Sequence, residues 1–144
     1  LQTLPLRIRE HSFRALKIAE YLDSLHKFQV IYPGLETHPD HQLAILQANA
    51  GFGFGGLMAI DLETYENARK FVLCVQESGW GLNAVSLGYY HSLLSISGSS
   101  TSSEIEPEMQ EKAKLSPGLV RVSVGFLGAF DNQVAAFEKA ILSV

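Results

Sequence analysis

The chain has 144 residues, 47% of them hydrophobic, which is enough for one domain with a real core and too few for two typical ones. Eleven Lys and Arg against fifteen Asp and Glu leave a net charge of −4 with no basic cluster, which argues against nucleic acid and acidic membrane surfaces as partners. No apolar run reaches bilayer length, Arg7, Arg9 and Glu10 interrupt any signal peptide, and the single Cys74 inside an apolar run excludes an internal disulfide, so a cytoplasmic location is expected.

The chain opens on Leu1 rather than methionine and enters helical spacing without a capping residue, so a fragment of a longer polypeptide is expected. From Leu4 to Leu25 the apolar residues Leu4, Ile8, Phe13, Leu16, Ala19, Leu22 and Leu25 recur every three to four positions, interleaved with Arg7, Arg9, Arg14, Lys17 and Glu20, and predict an amphipathic helix. Phe28 to Tyr32 reads as a short strand stopped by Pro33-Gly34, and Leu35 to Asp40 as a loop. Pro39 suits the first turn of a helix carrying His41, Leu43, Leu46 and Ala50.

His38 and His41, with Glu36 and Asp40 nearby, invite a metal reading. It fails because His38 precedes a proline, which turns it away from helical geometry, and no third nitrogen or sulfur ligand follows at a recognisable spacing. The glycines of Gly51 to Gly56 resemble a phosphate-cradling loop only superficially. Such a loop follows a strand and opens a helix, whereas these follow a helix and open the strand Leu57 to Leu62. A helix is predicted from Thr64 to Ser78, with Ala68, Phe71, Val72 and Val75 on one face.

Leu82 to Gly88 and Tyr89 to Ile96 read as two stretches of strand separated by Gly88. Ser97 to Ser103 reads as a polar connector, Glu104 to Lys114 as a short surface helix, and Asp131 as the cap of a closing helix with Val134, Phe137, Ile141 and Leu142 as its core stripe. Between them, Val120, Val122 and Val124 alternate with Leu119, Arg121 and Ser123 in a strand bounded by Pro117-Gly118 and Gly125. Arg121 is the anomaly. Its planar fork suits a carboxylate, so it either binds an anionic ligand or, more blandly, reaches solvent or pairs with one of the chain's own acids. The element order is α, β, α, β, α, β, β, α, β, α. It predicts an α/β chain with α+β character: a mainly antiparallel sheet covered by helices.

Taken together, Leu4-Pro5-Leu6-Arg7, the run from Tyr32 to His41, Gly55-Gly56, Ala84-Val85-Ser86-Leu87-Gly88 and the run from Gly118 to Gly125 resemble the C-terminal domain of the pyridoxal-phosphate-dependent enzymes of cysteine and methionine metabolism. That family includes cystathionine γ-synthase, cystathionine γ-lyase and β-lyase, methionine γ-lyase and O-acetylhomoserine sulfhydrylase. The resemblance implies the small C-terminal domain of an aspartate-aminotransferase-like, fold type I architecture. Residues 1–25 would end a long interdomain helix and residues 26–144 would form the substrate-side domain. It further implies that Arg121 binds the substrate α-carboxylate, that Ser86 and Leu87 lie beside it, and that pyridoxal phosphate is bound upstream, where the Schiff-base lysine lies. By the same resemblance the full-length protein is a homotetramer acting on an amino-acid substrate, and this chain alone is inactive. An alternative is a stand-alone, non-catalytic amino-acid-binding or interaction module descended from that domain.

Two departures bear on the substrate. Many members carry an acidic residue where His91 stands, at a position bordering the substrate side chain, and a His-Pro-Ala-Ser-Met-Thr-His stretch where this chain has Ser97 to Ser103. A histidine there either favours a neutral or anionic substrate side chain over a cationic one or is simply a surface residue.

Overall fold

The structure, a computed structural model, describes residues 2–97 and 116–144. Nine elements follow in order: α1 (Leu4–Ser24), β1 (Gln29–Ile31), α2 (His41–Gln47), β2 (Leu57–Asp61), α3 (Tyr65–Glu77), β3 (Gly81–Asn83), β4 (Ser92–Ile96), β5 (Leu119–Ser123) and α4 (Phe130–Leu142). The surface helix expected over Glu104 to Lys114, and all but Ser97 of the polar connector, lie outside the described residues. Among the described residues no helix is long and apolar enough to cross a membrane.

The five strands form one mixed sheet in the order β1-β2-β5-β4-β3. β1 with β2, β2 with β5, and β5 with β4 pair antiparallel, whereas β3 with β4 pairs parallel. The last strand in sequence is therefore the middle strand in space. Period-two alternation gives β5 two different faces. Val120 and Val122 point into the core with Met58, Ile60, Leu94 and Ile96, while Arg121 and Ser123 lie on the reverse face. The core face meets Ala15, Ile18, Ala19 and Leu22 of α1, Phe71, Val72 and Val75 of α3, and Phe137, Ala140 and Ile141 of α4. Phe71 and Phe137 meet edge to face, 6.0 Å between ring centroids; each such fully buried side chain contributes about 1.5–3 kcal/mol by transfer from water.

α3 carries the apolar face the periodicity predicts, and Thr64 caps it by accepting a hydrogen bond from the Asn67 backbone N–H at 3.2 Å. α1 corrects the expected stripe. Phe13 is 50% exposed, whereas Arg14 is only 7% exposed, because the buried arc runs through His11, Ala15, Ile18 and Leu22 and includes a polar partner set for the guanidinium. Pro39 stands before α2 in a turn rather than in its first turn, with Asp40 as the N-cap. Ala129, not Asp131, is the N-cap of α4. Leu142 is 64% exposed while Gln133 is buried.

Residues 84–91 also differ from expectation. Instead of extended strand they form an irregular loop, because β3 and β4 run parallel and the chain must return to the end where it started. Gly88 turns that loop with φ of 68°, a value glycine adopts without strain. Of the glycines before β2, Gly53 is held in close packing against α1. A Cβ on Gly53 would stand 2.7 Å from Ser12 Cβ, and the Ser12 hydroxyl accepts from the Gly55 N–H at 3.0 Å.

Candidate functional site

Arg121 sits half-buried in the middle of the sheet, between Ala59 on β2 and Ser95 on β4. Its Nη2 donates to the Val85 carbonyl at 2.7 Å and the Ser86 carbonyl at 3.4 Å. No carboxylate of the described residues pairs with it, and its buried Nε–H has no partner. A second buried polar atom on the same face is also unpaired: the hydroxyl of Ser95, the residue directly across the ladder. An unsatisfied buried donor costs about 1–3 kcal/mol, so two adjacent ones require an explanation.

The loop of residues 84–91 brings one of the other expected residues, Ser86, to this arginine and places Leu87 in the wall of a cavity that Arg121 does not line. Ser86 reaches Arg121 through its backbone carbonyl, its side chain lying in an exposed segment. Leu87 lines that cavity, of about 190 Å³, together with Arg7, His11, Gly88 and Ser123. The Ser123 hydroxyl accepts from the Gly88 N–H at 3.0 Å, tying this loop to the Arg121 strand. Arg7 adds a third buried unpaired atom, its Nε.

His91 stands apart. It belongs to an aromatic group with Tyr89, stacked at 6.1 Å, and Tyr90 at 5.1 Å, and makes no hydrogen bond to Arg121. Tyr89 donates to the Tyr90 hydroxyl at 2.7 Å, and that bond is the first cause of the upward shift of the Tyr89 phenol.

A buried polar network that the sequence reading missed fixes the end of β5. Arg14 donates to Glu10 at 2.6 Å, to the Leu127 and Gly128 carbonyls at 3.3 and 3.0 Å, and to Gln133 Oε1 at 3.1 Å. The Gln133 amide in turn donates to Ser92 Oγ at 2.9 Å and the Gly125 carbonyl at 3.0 Å, and Ser92 Oγ also accepts from the Gly125 N–H. His11 Nδ1 lies 2.6 Å from the Val124 carbonyl. One signal was available: Arg14 lies three residues past His11 and one before Ala15, on the arc that a strict 3.6-residue period would bury.

His38 and His41 do not converge. His38 Nδ1 accepts from the Asp40 N–H, whereas His41 Nδ1 lies 2.8 Å from the Pro33 carbonyl. Among the described residues no three metal-ligating side chains cluster. No described lysine lines the cavity. Lys17 and Lys70 lie in exposed helical ion pairs, and Lys27 donates to the carbonyls of Ile141 and Val144.

The family described as Cys/Met metabolism PLP-dependent enzyme matches residues 1–141. The chain is 52% identical over 140 residues to methionine gamma-lyase of Arabidopsis thaliana, covering 96% of this chain and 32% of that protein. It is 39% identical over 142 residues to cystathionine beta-lyase of Lactococcus lactis, covering 98% and 36%. Among solved structures, cystathionine gamma-lyase from yeast superposes with a TM-score of 0.88 at 32% identity over 99% of this chain and 36% of that one. Cystathionine gamma synthase from Xanthomonas oryzae, in complex with cystathionine, does so with 0.87 at 35% identity over 99% and 35%. The chain thus spans about a third of the length of the relatives it matches, and its fold is that of a portion of the fold type I pyridoxal-phosphate enzymes. By sequence and by fold, this chain belongs to the family of pyridoxal-phosphate-dependent enzymes of cysteine and methionine metabolism.

Proposed function

We propose that this chain is the substrate-side domain of a pyridoxal-phosphate-dependent lyase or synthase of sulfur amino-acid metabolism, and that Arg121 grips the α-carboxylate of its substrate. The observation that carries this reading is a half-buried guanidinium in mid-sheet with no acid of the described residues to neutralise it. A carboxylate supplies both the charge and the acceptors. The Val85 and Ser86 carbonyls hold Nη2, so the rest of the fork is oriented before the substrate arrives. Ser86 and Leu87 form the wall beside the carboxylate, and the group of Tyr89, Tyr90 and His91 borders the substrate's distal end.

Pyridoxal phosphate, held by the part of the polypeptide outside this chain, supplies the electron sink for bond cleavage at the substrate carbons. This chain's task is orientation: anchoring the carboxylate fixes which bond at the α-carbon is exposed to that chemistry. The likeness to methionine gamma-lyase puts methionine first among substrates, by γ-elimination, with cystathionine and homoserine esters next. An aromatic, imidazole-bearing border suits a thioether, since sulfur packs well against ring edges. The intact enzyme is a cytoplasmic homotetramer in this reading, and the 144-residue chain alone is inactive.

The test is Arg121→Lys and Arg121→Ala in the full-length enzyme, assayed for kcat/KM on methionine with melting temperature as the folding control. Loss of a buried charge pair costs about 2–5 kcal/mol, so kcat/KM falls about thirtyfold or more while the protein remains folded. Retention of wild-type kcat/KM in both variants refutes the assignment.

A further inference from the structure

We infer that the cavity beside the 84–88 loop is a seat for one carboxylate, an Asp or Glu side chain of the polypeptide beyond these 144 residues, with Arg7 as the cation that receives it. The inference rests on the reading of this chain as part of a longer enzyme and adds a joint between its parts. Arg7 stands near the start of α1 and lines the cavity with His11, Leu87, Gly88 and Ser123. Arg14, about two turns further on, spends its guanidinium on four acceptors. The Arg7 guanidinium makes no hydrogen bond and no ion pair with any described residue. Its Nε is shut away by the chain itself, whereas Nη1 and Nη2, which carry the other donors of the fork, keep access to the open volume.

Two buried side chains complete the wall. Ser123, 5% exposed, accepts from the Gly88 N–H, and its own hydroxyl hydrogen meets no acceptor among the described residues. His11, 4% exposed, is fixed by its Nδ1 on the Val124 carbonyl and by Phe126, edge-on at 4.9 Å. The cavity thus offers a cation and a hydroxyl donor, and no acidic residue lines it. A carboxylate matches both, since the planar fork of an arginine receives its two oxygens side by side. The rim selects the source. Leu4, Leu57 and Leu87 line the opening and are all exposed. Leu6 and Val85, on the same helix start and the same loop, are exposed too. An apolar rim around an unpaired cation has the anatomy of a surface that another part of a protein covers, whereas a small anion exchanging with water needs no such rim. Relatives of this chain are about three times its length, so a covering part of that size is available. The seat also abuts the loop whose Val85 and Ser86 carbonyls hold Arg121.

The experiment is carbodiimide cross-linking of the full-length holoenzyme, which joins an amine to a carboxylate only at contact distance, read by peptide mass spectrometry. Arg7→Lys puts an amine inside the cavity. Leu57→Lys puts one at its exposed rim, where a polar side chain leaves the core untouched, so it decides alone if Arg7→Lys does not fold. Both variants are expected to join to one and the same Asp or Glu outside the 144 residues, a link absent from the wild type and lost when that acid is changed to Asn or Gln. Cross-links only to acids within the 144 residues, scattered cross-links, or none at all overturn the inference. Turnover of methionine and cystathionine by the wild type tests the underlying reading separately. Turnover without the cross-link refutes the seat alone; the cross-link in a protein that turns over neither keeps the joint and removes the enzyme reading.

Discussion

Replacing Arg14 by methionine keeps most of the side-chain volume but deletes a guanidinium that joins α1, the 125–128 segment and α4. The partners are not equally exposed, and that decides the cost. Glu10 has a side chain 44% exposed, and Leu127 and Gly128 lie at the surface, so their freed oxygens regain water and each lost bond counts for about 0.5–1 kcal/mol. Gln133 is 1% exposed, so its orphaned Oε1 costs about 1–3 kcal/mol. Roughly 4 kcal/mol of destabilisation, within a range of about 2.5–6 kcal/mol, follows for Arg14→Met. Gln133→Leu breaks the same link from the other side and also frees Ser92 and Gly125. The double variant must therefore cost less than the two singles combined, by at least about 1 kcal/mol, because the shared bond is lost once and the orphaned oxygen leaves with the glutamine. Urea unfolding of the 144-residue chain, followed by circular dichroism, measures all three. Additivity within about 0.5 kcal/mol would show that the network is not a unit, and the account of how β5 is held would be wrong.

Two further outcomes concern the scaffold. Gly118→Ala places a Cβ 2.5 Å from the backbone nitrogens of Glu63 and Thr64, where no flexible side chain can yield, so the urea midpoint should fall by the equivalent of about 1–3 kcal/mol; an unchanged midpoint contradicts the tight crossing of β5's entry over β2's exit. Tyr32 is fully buried, donates to the Gly55 carbonyl at 2.8 Å, and its phenol is pushed well above its usual value by burial. The folded state holds that proton when the unfolded chain has released it, so stability is intact below about pH 10 and falls above it by about 1.4 kcal/mol per pH unit. Tyr32→Phe should flatten the alkaline limb of the stability curve by that slope, and an identical limb in both proteins removes Tyr32 as its cause.

Much of this architecture was legible because local patterns and tertiary demands coincide. The α3 stripe of Ala68, Phe71, Val72 and Val75 is buried as its spacing predicts, and the alternation in β5 places Val120 and Val122 inward and Arg121 outward. α1 departs from expectation where a long polar side chain is buried: Arg14 lies on the buried arc by position but counts as surface by residue type, and four acceptors draw it inside. The strand expected through residues 84–91 failed for a different reason. Composition there suits a strand, but the parallel pairing of β3 with β4 is decided by strands distant in sequence.

The sequence by itself determined the described helices, the central strand and the one charged residue that strand carries, because side-chain periodicity follows from backbone geometry alone. It also carried enough residue identity to place the chain in its family. Only the tertiary structure decided that Arg121 has no described acid to meet, that the carbonyls of Val85 and Ser86 orient it, and that Ser95 stands opposite with an idle hydroxyl. Those relations depend on register between β4 and β5, and a one-residue slip would turn either side chain to the other face. Register is a property of the assembled sheet, set by the packing of its core face, and no single segment of the chain encodes it.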